Sequence, residues 1–563
     1  MLFGIDVGGT HTDAVLIDRQ SGIKAWTKIP TDPQDLLGSI RMAIKEILSQ
    51  EKQVNIRRFN LSTTLCTNAI VQDALEPVGV LVSAGPGIDP WSFKIGDFYE
   101  VIPGGLDHRG TEIAPIDMDY VDGVVSRFLK DGIKVFAVIG KFSPRNPVHE
   151  QKIADLLNGK ARFVTMGHTL SGQLNFPRRI ATAYYNSAVW PIFNNFLKSV
   201  EGCLKEFNLT PQINILKADG GTMPMNRARW IPVESIFSGP AASVMGIVSL
   251  CEIQEDAIVL DVGGTTTDIG VFASGVPLIE PENVQLRHRP TLVRAMKVKS
   301  IGLGGDSAVS VENNILEVGP KRLGPCVAKG GKVPAFLDAL NCISKEGYGD
   351  TDASNRAIME IGQGLNCPLE EVALKVIKQG CATLKQEVMS FLDEINERPI
   401  YTIHELLQYR RIEPKKIYLM GGPAKILASY IEEEFGLPVI VPDFYGVANA
   451  VGAALSRPTT QAELFADTEK KIKTIPVFEI KETIPGSYNL KQAREDLINK
   501  MIDYITKEFG WDIEPDEIEV IEESSMNMVK DVFTVGQDIR VKCQVKPGIC
   551  KDYKNSVRCI CKG

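Results

Sequence analysis

The sequence predicts an α/β protein built from two similar halves followed by a small C-terminal α+β unit. A duplication is the first observation behind this. The run Asp6-Val7-Gly8-Gly9-Thr10-His11-Thr12-Asp13 returns 255 positions later as Asp261-Val262-Gly263-Gly264-Thr265-Thr266-Thr267-Asp268, identical at seven of eight positions. Second, apolar runs flank each copy: Leu2-Phe3-Gly4-Ile5 and Ala14-Val15-Leu16-Ile17 in the first, Ala257-Ile258-Val259-Leu260 and Ile269-Gly270-Val271-Phe272 in the other. Each copy therefore reads as a β-hairpin turning at Gly-Gly. Third, between the copies β-branched runs alternate with helical patterns, the βαβ rhythm of an α/β domain. A chain of 563 residues with 44% hydrophobic content has length for about three or four domains. The expected boundaries are 1–250, 251–456 and 457–563.

The two turns carry the chemistry. Gly-Gly brings bare backbone N–H groups close to a ligand, the threonines add hydroxyls, and an Asp ends the incoming strand, a combination suited to a polyphosphate with its metal ion. One glycine-rich turn is usually just a tight turn. Two nearly identical ones point to a ligand, because stability requires no such duplication. Asp13 and Asp268 have a plainer reading as caps of their own turns.

Taken in order, Asp35 to Leu48 has helical spacing. Leu61-Ser62-Thr63-Thr64-Leu65-Cys66-Thr67-Asn68 follows, its hydroxyls suited equally to capping a helix or to lining a cleft. Val78–Ser83 and Val135–Ile139 read as buried strands with a helix from Tyr120 to Lys130 between them. His108 and His149-Glu150 raise metal ligation, for which capping or packing is the commoner use. A long helical pattern runs from Pro177 to Glu206, with Pro191 expected to kink or divide it. The strand Ile213–Lys217 delivers a third glycine turn, Ala218-Asp219-Gly220-Gly221-Thr222. Small residues face one side of Ser238-Gly239-Pro240-Ala241-Ala242-Ser243-Val244-Met245-Gly246 and of Gly446-Val447-Ala448-Asn449-Ala450-Val451-Gly452-Ala453-Ala454, so these two helices can approach closely. Ile417-Tyr418-Leu419-Met420-Gly421-Gly422 is a late strand ending in a glycine pair.

Composition narrows the class. A formal net charge of −8 gives no general attraction to nucleic acid or anionic membrane. No apolar run reaches the roughly 18 residues of a membrane span, and Met1 leads directly into the first strand without a basic segment, so a cytoplasmic protein is expected. Eleven cysteines without a secretion signal read as reduced thiols.

Two phosphate hairpins, a small-faced helix in each half and the Gly421-Gly422 pair resemble the actin, hexokinase and heat-shock-70 ATPase superfamily. That resemblance implies two ribonuclease-H-like lobes clamping ATP, the crossing helices acting as hinge and Gly421-Gly422 beside the adenosine. A narrower likeness lies in Asp6 to Asp13, Ser62-Thr63-Thr64 with Thr67-Asn68-Ala69, Asn146-Pro147 with His149-Glu150, Ser238-Gly239-Pro240-Ala241 and Ser300-Ile301-Gly302-Leu303-Gly304-Gly305. These are similar to the hydantoinase A and 5-oxoprolinase family, which includes acetone and acetophenone carboxylase subunits, over approximately Met1 to Leu455. The resemblance implies ATP-dependent phosphoryl transfer to the carbonyl oxygen of a lactam, imide or ketone, commonly with a second, hydantoinase B-type subunit, in an oligomer.

On that basis Gly8, Gly9, Thr10, His11 and Thr12 with Gly263, Gly264, Thr265, Thr266 and Thr267 are expected around the β- and γ-phosphates, Gly304 and Gly305 also at the nucleotide. Asp6 and Asp261 are expected to hold Mg²⁺ and, with Asp268, to be catalytic. Thr63, Thr64, Asp219 and Asp306 are expected on the substrate side. The chain departs from the family pattern at Asp306, where glycine is usual, at Gly324-Pro325-Cys326-Val327-Ala328-Lys329-Gly330-Gly331, and at Ala218-Asp219. Beyond Leu455, Thr459–Ser487 reads as a linker, Leu490–Phe509 as a helix, and Val532–Val535 and Ile539–Val541 as strands. Cys543, Cys550, Cys559 and Cys561 contain no Cys-x-x-Cys, so free thiols are favoured over a metal or cluster. A regulatory ATPase acting on a partner protein and a small-molecule kinase are the competing readings.

Overall fold

The computed structural model describes residues 1–32, 34–51, 54–280, 283–312, 315–344, 347–365, 367–397 and 410–558. The duplication in sequence is a duplication of sheets. The first sheet runs Gly22–Pro30, His11–Asp18, Leu2–Val7, Arg58–Thr63, Gln212–Leu216, with Thr222–Pro224 at the far edge. The second runs Val276–Pro277, Thr267–Ala273, Ala257–Val262, Lys416–Met420, Val439–Ile440, with Val298–Ile301 also paired to Thr267–Ala273. In both, the first strand pairs antiparallel with its hairpin partner and parallel with the strand on its other side. These are the two ribonuclease-H-like lobes of an actin-like ATPase fold. The registers match too, Asp6 facing Asp13 and Asp261 facing Asp268. Both first strands are buried throughout, which is why they read as continuous apolar runs.

A four-stranded parallel sheet of Phe163–Met166, Val135–Gly140, Val78–Ser83 and Tyr99–Val101 is inserted in the first half. The helix Phe176–Glu206 packs on it without the division expected at Pro191. Losing one backbone hydrogen bond costs about 3 kcal/mol, and the dense packing around the proline offsets that. Pro191 is itself buried, and its neighbour Trp190 stacks on Phe163 with ring centroids 4.7 Å apart. His149 is a packing residue, its ring between Ser83 Oγ at 3.2 Å and Glu112 Oε1 at 2.9 Å.

The helices Ser238–Leu250 and Ala448–Leu455 cross between the lobes, as their small faces imply. A Cβ on Gly246 would stand 2.8 Å from the Ala448 carbonyl carbon, one on Gly452 2.8 Å from that of Met245, and one on Gly4 2.5 Å from the Ala454 Cβ. Backbone therefore rests on backbone, and nothing larger than glycine fits. Each helix is entered through a phenylalanine in the left-handed region, Phe237 at φ 61° and Phe444 at φ 59°, with the turn Tyr445–Val447 intervening in the second case.

The expected linker is ordered structure. Strands Gln461–Asp467, Ile472–Ile475 and Ile480–Thr483 form one sheet with Phe533–Val545 and Ile518–Lys530. Its central pairing joins segments 77 positions apart at Leu464 opposite Val541, so local polarity concealed it. The helix Leu490–Phe509 has its expected bounds, started by a capping box of Asn489 and Gln492. Leu464, Val541, Leu497 and Met501 share a core cluster with Phe3 and Phe59, so this α+β unit packs on the first lobe. Cys543 and Cys550 are buried free thiols whose pKa burial pushes up to about 12. Cys559 and Cys561 lie outside the described residues. No helix among the described residues is long and apolar enough to cross a membrane.

Candidate functional site

The two hairpin turns face each other across a cleft of about 340 Å³ between the lobes, Asp6, Gly8, Thr10 and His11 on one side and Asp261, Gly263 and Gly264 on the other. The walls nearly touch, since a Cβ on Gly264 would lie 3.3 Å from Thr10 Cγ2. The same bond closes both turns. Gly8 N–H donates to the His11 carbonyl at 3.1 Å, and Gly263 N–H to the Thr266 carbonyl at 3.0 Å. Those two N–H groups hold the turns in shape, which corrects the expectation that they face phosphate. Thr12 and Thr267 are corrected likewise. Both are fully buried, Thr12 Oγ1 being 2.9 Å from Thr31 Oγ1 and Thr267 Oγ1 donating to the Leu303 carbonyl at 2.6 Å. Gly9, Thr265 and Thr266 stand at the exposed tips, outside the cleft lining.

At the floor the duplicated carboxylates meet. Asn449, from the second crossing helix, points Nδ2 at Asp6 Oδ2 (3.4 Å) and Asp261 Oδ2 (3.2 Å), and Ser243, from the first, donates to Asp261 Oδ2 at 2.7 Å. Asp6 Oδ1 is buried without a partner. Burial first, and then Asp13 and Asp261, push the Asp6 carboxyl up to about 6 against the opposing effect of Ser62 and Asn449. Asp13 is held by Lys28, whose Nζ lies 2.8 Å from both of its oxygens and 2.9 Å from the Gly446 carbonyl. Asp268 stands behind Asp261 rather than in the cleft lining. Ser300 donates to it, and burial, then Asp261, raise its pKa to about 7. His11 moves the other way, down to about 4, through burial and then Lys28 and Lys329.

Four carboxylates, Asp6, Asp13, Asp261 and Asp306, line the cleft against the ammonium groups of Lys28 and Lys329. A polyanion is repelled there unless a divalent cation accompanies it. The buried, unpartnered Asp6 Oδ1 is the atom such an ion would take. Mg²⁺ keeps water and phosphate in its shell and takes one or two protein carboxylates; no group of three or more ligating side chains gathers among the described residues.

The opposite end is less polar. Gly421 adopts φ 96°, and a Cβ there would stand 2.7 Å from the Val262 carbonyl carbon and 2.8 Å from Asp261 Oδ1, so only glycine fits. The Gly422 carbonyl accepts from Tyr348 Oη at 2.6 Å, and Leu337, Met420, Tyr348 and Tyr445 surround the pair. Gly304 and Gly305 buttress the second turn. Gly305 N–H donates to the Gly263 carbonyl at 2.9 Å, Asp306 N–H to that of Gly264 at 2.7 Å, and a Cβ on Gly304 would lie 2.8 Å from the Gly264 carbonyl oxygen.

The expected substrate residues are scattered. Thr63 is buried, its carbonyl accepting from Ser238 Oγ at 3.0 Å, and Thr64 Oγ1 accepts from Asn68 at 3.2 Å. With Thr67 Oγ1 accepting from Phe237 N–H at 2.9 Å, this segment grips the start of a crossing helix and does not line the cleft. Asp306 does line it, with its carboxylate engaged by Cys326 N–H at 3.0 Å and Arg322 at 3.1 Å. Asp219 lies elsewhere, under the C-terminal unit, taking Thr459 Oγ1 at 2.9 Å and Gly221 N–H at 3.0 Å. Burial opposes its charge, and Lys217 and Arg294 outweigh burial to hold its pKa below the usual range. Asp219→Ala would strand those two cations. It is expected to lower unfolding free energy by about 3 kcal/mol in urea titration while leaving nucleotide affinity, measured by calorimetry, within about threefold.

Lys28, Lys329, Tyr348, Tyr445 and Asn449 line the cleft without having been singled out from sequence. Asn449 had a signal, being the one polar residue in Gly446 to Ala454. Lys28 had a fainter one, one strand across from Asp13. A second chamber, of about 860 Å³, lies between the lobes on the side of Pro240 and Ala241, with Ser300 in its wall.

Comparison with known proteins bears on this geometry. The model for the hydantoinase/oxoprolinase N-terminal region matches residues 2–160, and the hydantoinase/oxoprolinase model matches residues 179–462. Caprolactamase subunit alpha from Pseudomonas jessenii is 24% identical over 497 residues, covering 80% of this chain and 70% of that protein. The solved ATP-dependent caprolactamase from Pseudomonas jessenii superposes with a TM-score of 0.71 at 20% identity, over 97% of this chain and 87% of that one. A nucleotide-free acetone carboxylase gives 0.69 at 15% identity, over 98% and 88%.

Proposed function

Because the chain belongs to the hydantoinase/oxoprolinase family, we propose that it activates a cyclic amide such as a lactam, hydantoin or 5-oxoproline by ATP-dependent phosphoryl transfer to the carbonyl oxygen, leading to ring hydrolysis. The observation that carries this reading is the mirrored pair of hairpins that aims Asp6 and Asp261 into one cleft, joined by Asn449, with Asp6 Oδ1 unpartnered. ATP-dependent chemistry on a lactam is what the caprolactamase relative is named for.

In this reading ATP lies with its base near Gly421-Gly422 and its phosphates between the turns at Thr10, His11 and Gly264. Asp6 and Asp261 would hold Mg²⁺, directly or through water, and the ion would supply charge neutralisation for the transfer. Asn449 and Ser243 orient those carboxylates. The substrate's carbonyl oxygen forms a bond to the γ-phosphorus as the bond from that phosphorus to the bridging oxygen of ADP breaks. One water adds to the activated carbon and the ring C–N bond breaks, the amine taking a proton, to leave an acyl phosphate. A second water then attacks the acyl carbon, and inorganic phosphate departs with the former carbonyl oxygen. Asp268, next to Asp261 and Ser300, is suited to move a proton on the substrate side. Closure of the lobes about the crossing helices keeps bulk water from the activated intermediate. In this reading the chain divides into three units, 1–250, 251–456 and 457–563.

The caprolactamase relative is named as a subunit, which supports a second subunit; in this reading that subunit is of the hydantoinase B type and completes hydrolysis, and the enzyme is oligomeric and cytoplasmic. The likeness to acetone carboxylase supports ketone activation as the second reading. Phosphate release from ATP, followed against hydantoins, 5-oxoproline, other lactams and ketones with and without the second subunit, separates the two. Absence of stimulation by every carbonyl compound would overturn both.

Protonation of Asp6 gives a further check. Its folded pKa is raised to about 6, so below that pH the group is neutral and must lose a proton to face Mg²⁺. MgATP affinity is expected to fall about tenfold per unit as pH drops below 6, with proton release on binding in calorimetry. Affinity independent of pH between 5 and 7 would count against Asp6 as ligand.

A further inference from the structure

We propose that Lys329 is the ammonium group that meets the transferred γ-phosphoryl group, and that His11 holds it across the cleft until nucleotide binds. This rests on reading the cleft as a MgATP site. Lys329 ends the short turn Val327–Lys329 in the second lobe and is exposed to the cleft. Its Nζ lies 3.5 Å from His11 Nε2, on the first hairpin of the other lobe. Of the cleft's two ammonium groups, Lys28 is engaged by both oxygens of Asp13 and by the Gly446 carbonyl. Lys329 has no carboxylate partner among the described residues.

The backbone beneath Lys329 is held more firmly than an ordinary surface turn. Asp338, fully buried, accepts from the N–H groups of Val327 (2.9 Å), Ala328 (3.0 Å) and Ala335 (2.9 Å) and from Ser354 Oγ (2.7 Å). Asp306 accepts from Cys326 N–H at 3.0 Å just ahead of the turn, and Gly330 leaves it at φ 84°. Two carboxylates thus fix the backbone on which one free cation is mounted. Asp306, expected to touch substrate, becomes a positioning residue for Lys329.

His11 is suited to be a temporary partner. With its pKa pushed down to about 4 the ring is neutral near pH 7, and with Nδ1 turned to Thr10 Oγ1 at 3.2 Å the Nε2 lone pair can accept from the ammonium. At 3.5 Å this is a marginal hydrogen bond, and a phosphate oxygen forms a shorter, charge-assisted one. Nucleotide entry would exchange an interlobe contact for one made through the γ-phosphate. Only a ligand with that phosphate gains from Lys329, because ADP lacks the group it meets.

The test compares MgATP and MgADP binding by calorimetry in wild type, Lys329→Met and Lys329→Arg. Wild type is expected to bind both. Lys329→Met should weaken MgATP at least tenfold and MgADP less than twofold, and Lys329→Arg should recover most of the loss. His11→Asn, which removes the group that holds Lys329 before nucleotide enters, should raise the ratio of MgATP to MgADP affinity, and an unchanged ratio would overturn the holding role of His11. Equal losses for the two nucleotides in Lys329→Met, or no loss for either, would overturn the role of Lys329 while leaving the cleft assignment standing. Failure of wild type to bind either nucleotide would instead overturn the cleft assignment itself, and the Lys329 proposal with it. The substituted side chain is exposed, so circular dichroism is expected to be unchanged.

Discussion

Asp261→Asn is expected to reduce ATP turnover by about 10³-fold, the scale seen when a group that stabilises transition-state charge is removed. The substitution keeps the shape that receives Ser243 at 2.7 Å and Asn449 at 3.2 Å, so the crossing helices keep their contacts with the second sheet. It removes the charge that would face Mg²⁺. Relief of like-charge repulsion should follow as well, since Asp261 is among the groups that raise the pKa of both Asp6 and Asp268. The thermal midpoint should therefore stay level or rise as activity disappears. Normal turnover in this variant would remove Asp261 from the mechanism.

Gly452→Ala is expected to lower stability as much as Asp219→Ala does. The added methyl would stand 2.8 Å from the Met245 carbonyl carbon and closer still to Ala242 and Gly246 backbone atoms. The second crossing helix cannot simply move away, because Gly4 of the first central strand is pressed just as closely against its Ala450 and Ala454. Overpacking of this kind costs about 3 kcal/mol, read as a lower urea midpoint. Helices that separate also pull Asn449 away from the two aspartates it joins, so nucleotide affinity should fall in proportion. A Gly452→Ala protein of unchanged stability would mean that the crossing is looser than the glycines imply.

Those two glycine-rich faces were among the most readable parts of the sequence, because close backbone approach leaves a composition that polar helices do not mimic. The duplicated hairpins were equally plain. Thr12 and Thr267 were misjudged for a reason that strand geometry supplies. Neighbours along a strand point to opposite faces, so if Asp13 and Asp268 turn toward the carboxylate cluster, Thr12 and Thr267 must turn away into the core. Asp219 was beyond reach, its meaning resting on Thr459, which is 240 residues distant. Lys329 was quoted only as part of an unusual loop. Its place depends on Asp338 and Asp306 folding that loop toward a hairpin more than 300 residues earlier, a relation that no local pattern encodes. The strand Gln461–Asp467 was hidden in the same way, since its partner Phe533–Val545 comes much later in the chain.

The central claim, that the cleft transfers the γ-phosphoryl group of ATP to a carbonyl oxygen, is tested most directly by an oxygen label. Once a carbonyl compound that stimulates phosphate release has been found, it is supplied with ¹⁸O in the carbonyl, together with ATP, Mg²⁺ and the second subunit where one is required. The phosphate released is then examined by mass spectrometry. Transfer to the carbonyl oxygen predicts one ¹⁸O in each phosphate formed during productive turnover, and loss of that labelled phosphate in Asp261→Asn. Product formation coupled to ATP consumption, with the phosphate wholly unlabelled, would contradict it.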